Sequence, residues 1–242
     1  MSSPHSSANK SQHNYIFAAW LVRTFGQTAL RQGQGVLDIA GGKGGVSYEL
    51  VVQYGIPSTL LEVRDMIQLS SMARRRMKRI HRKRSLAGTT YDRAPMAQYL
   101  ESHNLIPNDD GVLIPEVSLC IESLAPLPFR HISCKFPEQL SVLMNDSVMT
   151  SLIQSSSILV GVHPDEATEA IVDAAIHFRI PFAVVPCCLH SNLFPHRVTA
   201  TNAVVNSYEV FIDYLAAKHI NIQQVTLPFE GRSICLYCTR YE

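Results

Sequence analysis

VLDIAGGKGGVSYEL, Val36 to Leu50, reads as a buried strand that runs through a glycine turn into a helix. Val36, Leu37 and Ile39 supply a short apolar strand, and Asp38 puts a carboxylate near its carboxyl end. Gly41, Gly42, Gly44 and Gly45 let the backbone take positive φ and approach a ligand closely, while Val46 and Leu50 begin a helical face. α/β proteins build nucleotide-sized sites in this way. A second apolar run, Thr59 to Val63, carries Glu62 about twenty residues beyond the glycines, where such folds place the acid that holds a ribose. A purely structural strand-turn-helix is the competing interpretation of the same residues.

A dinucleotide fingerprint requires G-x-G-x-x-G, and the nearest fit, Gly42-Lys43-Gly44-Gly45-Val46-Ser47, lacks the third glycine. The acid inside the first strand points elsewhere. The segment resembles motif I of the class I S-adenosylmethionine-dependent methyltransferases, whose pattern is an apolar pair, Asp or Glu, and glycines at alternate positions. Asp38, Gly42 and Gly44 match it, and Ala40 stands in place of its first glycine, a replacement that a turn accepts at negative φ. The resemblance implies an α/β, Rossmann-like class I methyltransferase fold: a mostly parallel seven-stranded sheet closed by a C-terminal antiparallel hairpin. It also implies that S-adenosylmethionine lies against Asp38, Ala40, Gly41, Gly42 and Gly44, with Glu62 on the adenosine ribose.

Composition fits one large domain. The chain has 242 residues, 46% of them apolar. Its formal charge of +1 hides an uneven distribution, because Arg74, Arg75, Arg76, Lys78, Arg79, Arg82, Lys83 and Arg84 hold eight of the 21 basic residues. Six cysteines without an apolar signal segment or a run of eighteen apolar residues point to reduced thiols in an intracellular compartment, cytoplasmic or nuclear, and away from membranes. Residues 1–14, rich in Ser, His and Asn, read as a disordered tail with Lys10 as its only Lys or Arg, a poor transit peptide that leaves organelle import open.

Residues 15–242 then form a single domain. Phe17, Trp20, Leu21, Thr24 and Phe25 make one helix face, with Trp20 as core or lid. Beyond Glu62, Leu69, Ala73, Met77 and Ile80 line one side of a helix whose other side is basic. Residues 85–130 carry Pro95, Pro107, Pro115, Pro126 and Pro128 and read as an insertion with little regular structure. A strand from His131 to Phe136, a helix from Leu140 to Ile153 and a strand from Ser157 to Val162 follow. Ile171, Ala175 and Phe178 form the stripe of another helix, Phe182 to Val185 a buried strand, and Val204, Tyr208, Phe211, Ile212 and Leu215 a last helical face. Ile222 to Phe229 and Ser233 to Thr239 are two strands joined by a turn at Glu230-Gly231-Arg232.

In open α/β sheets ligands sit outside the carboxyl ends of the strands, so the loops after the fourth and fifth strands should face the cofactor. The fourth ends in His163-Pro164-Asp165, with Asp165 placed to cap the next helix, and the fifth in Cys187-Cys188-Leu189-His190. These loops resemble a methyltransferase subgroup that includes tRNA ribose 2'-O-methyltransferases, with a His-Cys-Gly-Ala-Thr-Asp segment after the fourth strand and Cys-Cys-His after the fifth. His163, Ala167, Thr168, Cys187, Cys188 and His190 echo that pattern, with Pro164 and Asp165 in place of Cys-Gly and His190 displaced by one residue. The Asn/Asp-Pro-Pro-Tyr/Phe motif of amino-group methyltransferases is missing.

Methyl transfer from a sulfonium needs alignment of donor and acceptor and removal of a proton. His163 can act as that base near neutral pH, with Asp165 as alternative base or orienting partner; a helix cap or a cofactor contact is the other role for His163. Cys187 or Cys188 could instead attack a pyrimidine, as in RNA 5-methylcytosine enzymes, though the accompanying Pro-Cys is absent. Cys187, Cys188, His190 and His196 crowd one loop, but adjacent cysteines chelate a zinc poorly, and Cys235 and Cys238 sit in a strand where side chains three apart point to opposite faces. Reduced thiols and no metal are expected. The basic helix, with Arg74, Arg75, Lys78, Arg79, Arg82 and Lys83, fits an RNA partner; a nuclear-import signal or a protein contact through it or the insertion are the alternatives. The function expected is S-adenosylmethionine-dependent methylation of RNA, with methylation of a small molecule or protein, or an inactive scaffold, as alternatives.

Overall fold

A computed structural model of the chain describes residues 6–64, 67 and 129–242. Seven strands, β1 (Val36–Ile39), β2 (Ser58–Glu62), β3 (Arg130–Ser133), β4 (Ile158–Val162), β5 (Phe182–Val185), β6 (Gln223–Thr226) and β7 (Ile234–Cys238), form one sheet in the order β3-β2-β1-β4-β5-β7-β6. The first five pair in parallel, and β7 runs antiparallel to both β5 and β6. This is the Rossmann-like α/β sheet with an antiparallel C-terminal hairpin that the sequence predicts. Strand order reverses between β1 and β4, the crevice where such sheets bind ligands.

Both faces of the sheet are covered, which is why its central strands are apolar runs rather than alternating ones. Side chains of successive strand residues point to opposite faces. Leu37, Ile39, Leu159, Phe182 and Val184 pack with helices α5 (Ser147–Ser155), α6 (Thr168–Phe178) and α7 (Tyr208–Ala216). Val36, Val160, Ala183 and Val185 pack on the other side with α1 (Ser6–Phe25), the short α2 (Gln27–Leu30) and α3 (Gly45–Tyr54). Each fully buried aliphatic or aromatic side chain contributes roughly 1.5–3 kcal/mol. Cys235 belongs to one layer and Cys238 to the other, as their spacing in a strand requires. Trp20 is core, edge-on to Phe25 and Tyr237.

Several elements differ from their sequence patterns, each for a local reason. Helix α1 begins at Ser6, inside the stretch expected to be a disordered tail. His13 precedes Phe17 and Leu21 at four-residue spacing and stacks on Phe229, so the buried face reaches back beyond the apolar run. The helix expected from Leu140 to Ile153 is two, α4 (Leu140–Met144) and α5: the Asp146 carboxylate accepts from the Met149 amide at 2.9 Å and starts a new helix there. Val204 is not helical; it pairs with Val198 in an isolated bridge, and α7 starts at Tyr208 because Ser207 Oγ accepts from the Val210 amide at 3.2 Å. β3 starts at Arg130 and ends at Ser133, short of Phe136. The hairpin strands are also shorter than expected, with Gly231 at φ 83 in the connection. The basic helix around Leu69 to Ile80 and residues 85–128 of the insertion lie outside the described residues.

Candidate functional site

The turn after β1 is organised by a buried acid. Asp38 Oδ2 accepts from the Ser47 amide at 3.2 Å and from Ser47 Oγ at 2.8 Å, and Ser58 Oγ donates in turn to Ser47 Oγ at 2.9 Å. The strand is thereby clamped to the first turn of α3. Asp38 Oδ1 is buried without a hydrogen-bond partner among the described residues. Burial pushes the Asp38 carboxyl up to about 6, against the lowering effect of the two Ser47 bonds, and the charge of Glu62 adds to the rise.

Glycine is required at specific points of this turn. A Cβ at Gly41 would stand 2.5 Å from Asp38 Oδ1, so the backbone lies directly on the carboxylate. Gly42 and Gly44 take φ of 60 and 67. Ala40 also takes positive φ, 52, where the sequence expectation had allowed it only a negative one. The left-handed conformation costs a non-glycine residue roughly 1–2 kcal/mol, which the surrounding fold holds in place. Gly44 is a packing glycine: its missing Cβ would sit 2.4 Å from Phe129 Cζ.

Glu62 ends β2 beside the turn. Its Oε2 accepts from the Gly42 amide at 2.9 Å, and Oε1 lies 3.8 Å from Arg64 Nε. A cavity of about 1200 Å³ opens here, lined on one wall by Ala40, Gly41, Gly42 and Glu62 and on the other by His163, Asp165, Cys187 and Cys188. Asp38 and Gly44 do not line it; they hold the wall from behind. His13 and Asn14 of α1 also line it, as does Arg232 of the hairpin. These residues were missed in the sequence because His13 and Asn14 sit in a polar, Ser-rich stretch; the one usable signal is the four-residue step from His13 to Phe17. Asn14 packs against Gly45, where a Cβ would come within 1.9 Å of its Nδ2. The cationic residues Arg74, Arg75, Lys78, Arg79, Arg82 and Lys83 lie outside the described residues.

The loops of the far wall hold three non-glycine residues in left-handed backbone: His163 at φ 55 and Asp165 at φ 48, which line the cavity, and His190 at φ 49, which does not. The His163 amide donates to the Val185 carbonyl at 3.0 Å, which ties the tip of β4 to β5. Asp165 does not cap the next helix with its side chain; a 3-10 turn (Asp165–Ala167) comes first, and Thr168 Oγ1 donates to the Asp165 carbonyl at 2.8 Å. Its carboxylate instead accepts from Cys187 Sγ at 3.0 Å. Burial and the Asp165 carboxylate push the Cys187 thiol far up, which favours its role as hydrogen-bond donor. Its neighbour Cys188 is exposed. His196 is not among the residues lining the cavity.

Arg197 fixes the loop that carries these residues. Its side chain is 3% exposed, pairs with Glu169, donates to the Leu189 carbonyl and lies over the rings of Phe194 and Phe211 at 3.8 and 4.8 Å. Burial alone would raise the Glu169 carboxyl, but bonds from Lys218, Tyr214 and Arg197 bring it below its ordinary range. The cost of burying Arg197 is offset by this full set of partners.

No family model matches the chain, and no curated protein does. Among solved structures it is similar to a chain described as a sarcosine dimethylglycine methyltransferase from Galdieria sulphuraria, at 10% identity and a TM-score of 0.35, over 86% of this chain and 60% of that one. It is similar to an rRNA methylase from Streptococcus thermophilus at 9% identity and a TM-score of 0.36, over 100% of both chains. A mutant of MtNAS in complex with S-adenosylmethionine matches at 10% identity and a TM-score of 0.34, over 97% of this chain and 74% of that one. With each of these TM-scores below one half, function rests on the site itself. Among the described residues no helix is long and apolar enough to cross a membrane.

Proposed function

We propose that this chain is an S-adenosylmethionine-dependent methyltransferase acting on RNA. The observation that carries this reading is the pair of acids at the tips of β1 and β2, bracketing a glycine turn that opens on one cavity. The residues fit the methyl donor. Asp38 acts from behind the turn: its carboxylate holds the start of α3 through Ser47, and Gly41 lies directly on it, which sets the backbone that lines the cavity. Glu62 Oε2 holds Gly42, and Oε1, which has only the exposed Arg64 guanidinium at 3.8 Å, would accept from ribose hydroxyls. Ala40 and Gly42 would line the methionine end. When bound, the donor supplies an electrophilic methyl on sulfur.

The chain's own part is alignment and proton removal. His163 would take the acceptor's proton from the opposite wall, with Asp165 as the alternative base. The cationic run from Arg74 to Arg84 supports an RNA acceptor, since Lys and Arg neutralise phosphates without regard to sequence. A second reading, a methyltransferase-like scaffold without turnover, is favoured by the strained Ala40 at the point where motif I has glycine.

Calorimetry with S-adenosylmethionine tests the first step: Glu62→Ala should lower affinity roughly 10- to 100-fold, the worth of charge-assisted hydrogen bonds of about 1.5–3 kcal/mol. Unchanged affinity would remove Glu62 from the site. Transfer of a labelled methyl group to total RNA tests the second. His163→Ala should end transfer while leaving donor affinity intact; persisting transfer would move the proton to Asp165.

A further inference from the structure

We propose that Asp165, Cys188 and His190 form a binding site for a borderline divalent cation, Zn²⁺ by the chemistry of the donors. A carboxylate oxygen, a thiol sulfur and an imidazole nitrogen from these three residues all lie within 4.8 Å of one another. The ligand atoms of a tetrahedral zinc, bonded at about 2.0–2.3 Å, stand roughly 3.3–3.8 Å apart. The gap to close is about 1 Å. Asp165 and Cys188 are exposed side chains with the freedom to close it by a change of rotamer.

A second observation points to a ligand. His190 Nε2 is buried and has no hydrogen-bond partner among the described residues, a state that costs free energy unless a proton, a water or a metal satisfies it. The set also differs from the one its sequence spacing suggests. Cys187 faces inward and donates to Asp165 Oδ1 at 3.0 Å, so it orients the carboxylate and leaves the metal position to its exposed neighbour. The adjacent-cysteine objection to zinc therefore falls, because only Cys188 of the pair would bind. His196 is not in the cluster, and a residue from the loop after β4 takes its place.

Three protein ligands make an open zinc site rather than a closed structural one. Asp165 and Cys188 both line the 1200 Å³ cavity, so the fourth position would be reached by water or by a heteroatom of whatever enters it. The site stands on its own geometry and does not depend on the methyl donor.

The test uses the full chain, reduced and stripped with a chelator, then titrated with Co²⁺ as a spectroscopic stand-in and with Zn²⁺ against a chromophoric chelator. The expected result is one equivalent of Co²⁺ with a sulfur-to-cobalt charge-transfer band and tetrahedral visible bands, displaced by Zn²⁺. Cys188→Ser should remove the charge-transfer band and weaken Zn²⁺ binding by at least about 100-fold, and His190→Ala should weaken it comparably. Cys134→Ser should leave both readouts unchanged. A chain that binds no Co²⁺ through sulfur, or a band that survives Cys188→Ser, overturns the proposal. Because Cys188 is exposed, that variant keeps the fold, checked by circular dichroism, and decides the matter even if His190→Ala does not fold.

Discussion

The two walls of the cavity are made from different material. The wall after β1 is backbone: glycines at φ 60 and 67, an amide on Glu62, and a carboxylate beneath. The wall after β4 and β5 is side chain: His163 and Asp165, both in left-handed backbone without being glycine, with Cys187 and Cys188. The first wall is held both from close by, through Ser47 on Asp38, and from further off, through Glu62 on Gly42 and Phe129 against Gly44. The second is held by contacts between side chains, Arg197 with Glu169 across 28 residues and Cys187 with Asp165 across 22. A binding surface made of main chain tolerates little change in residue type, whereas one made of side chains can change its chemistry while the backbone stays.

The sharpest way to separate the walls is Arg197→Ala. It leaves Glu169 paired with Lys218 and Tyr214 but removes a charged hydrogen bond, worth about 1.5–3 kcal/mol, and the guanidinium's contact with the Phe194 and Phe211 rings on top of it. Chemical denaturation should show that loss, while donor affinity at the β1 wall should survive in the fraction that remains folded. Equal loss of both would mean that the walls form one unit.

Next in size is a pH effect confined to the glycine wall. Asp38 has a folded pKa near 6 against an ordinary value of 3.8, so between these the native state holds more protons than the unfolded one. Stability from this group is therefore present below about pH 4 and is lost as pH rises through about 6, by roughly 2–3 kcal/mol. Denaturation midpoints measured from pH 4 to 7 should fall less steeply in Asp38→Asn than in the parent chain. A parallel slope in both would remove Asp38 as the source.

The smallest effect expected is from Ala40→Gly. Relief of left-handed strain gives about 1–2 kcal/mol, and the added freedom of glycine in the unfolded chain takes back about 0.4–1 kcal/mol. A net gain of about 0.5 kcal/mol in thermal unfolding would show that the first wall carries stored strain at Ala40. A loss would mean that the Ala40 methyl, which packs on the core beside Ile39, matters more than φ.

What could be read in the sequence follows the same division. The strand, turn and helix from Val36 to Leu50, Glu62 at a strand end, and Phe182 to Val185 were legible because local pattern and tertiary role agree there. The break at Asp146 was not, since apolar spacing continues across it and only the capping bond to Met149 decides. The sign of φ at Ala40, the thiol-carboxylate contact of Cys187 with Asp165, and the place of His13 and Asn14 in the cavity lining depend on long-range packing that no spacing records.

The placement of Cys235 and Cys238 on opposite faces of β7 has a practical consequence. Three residues apart in an extended strand, their Cα atoms stand roughly 10 Å from each other, beyond the span of a disulfide. Both are sealed in opposite layers, whereas Cys188 meets solvent. A thiol-reactive dye would thus tag Cys188 in the native chain at once and reach the pair only through global opening, so the slow phase of labelling clocks how often the sheet comes apart.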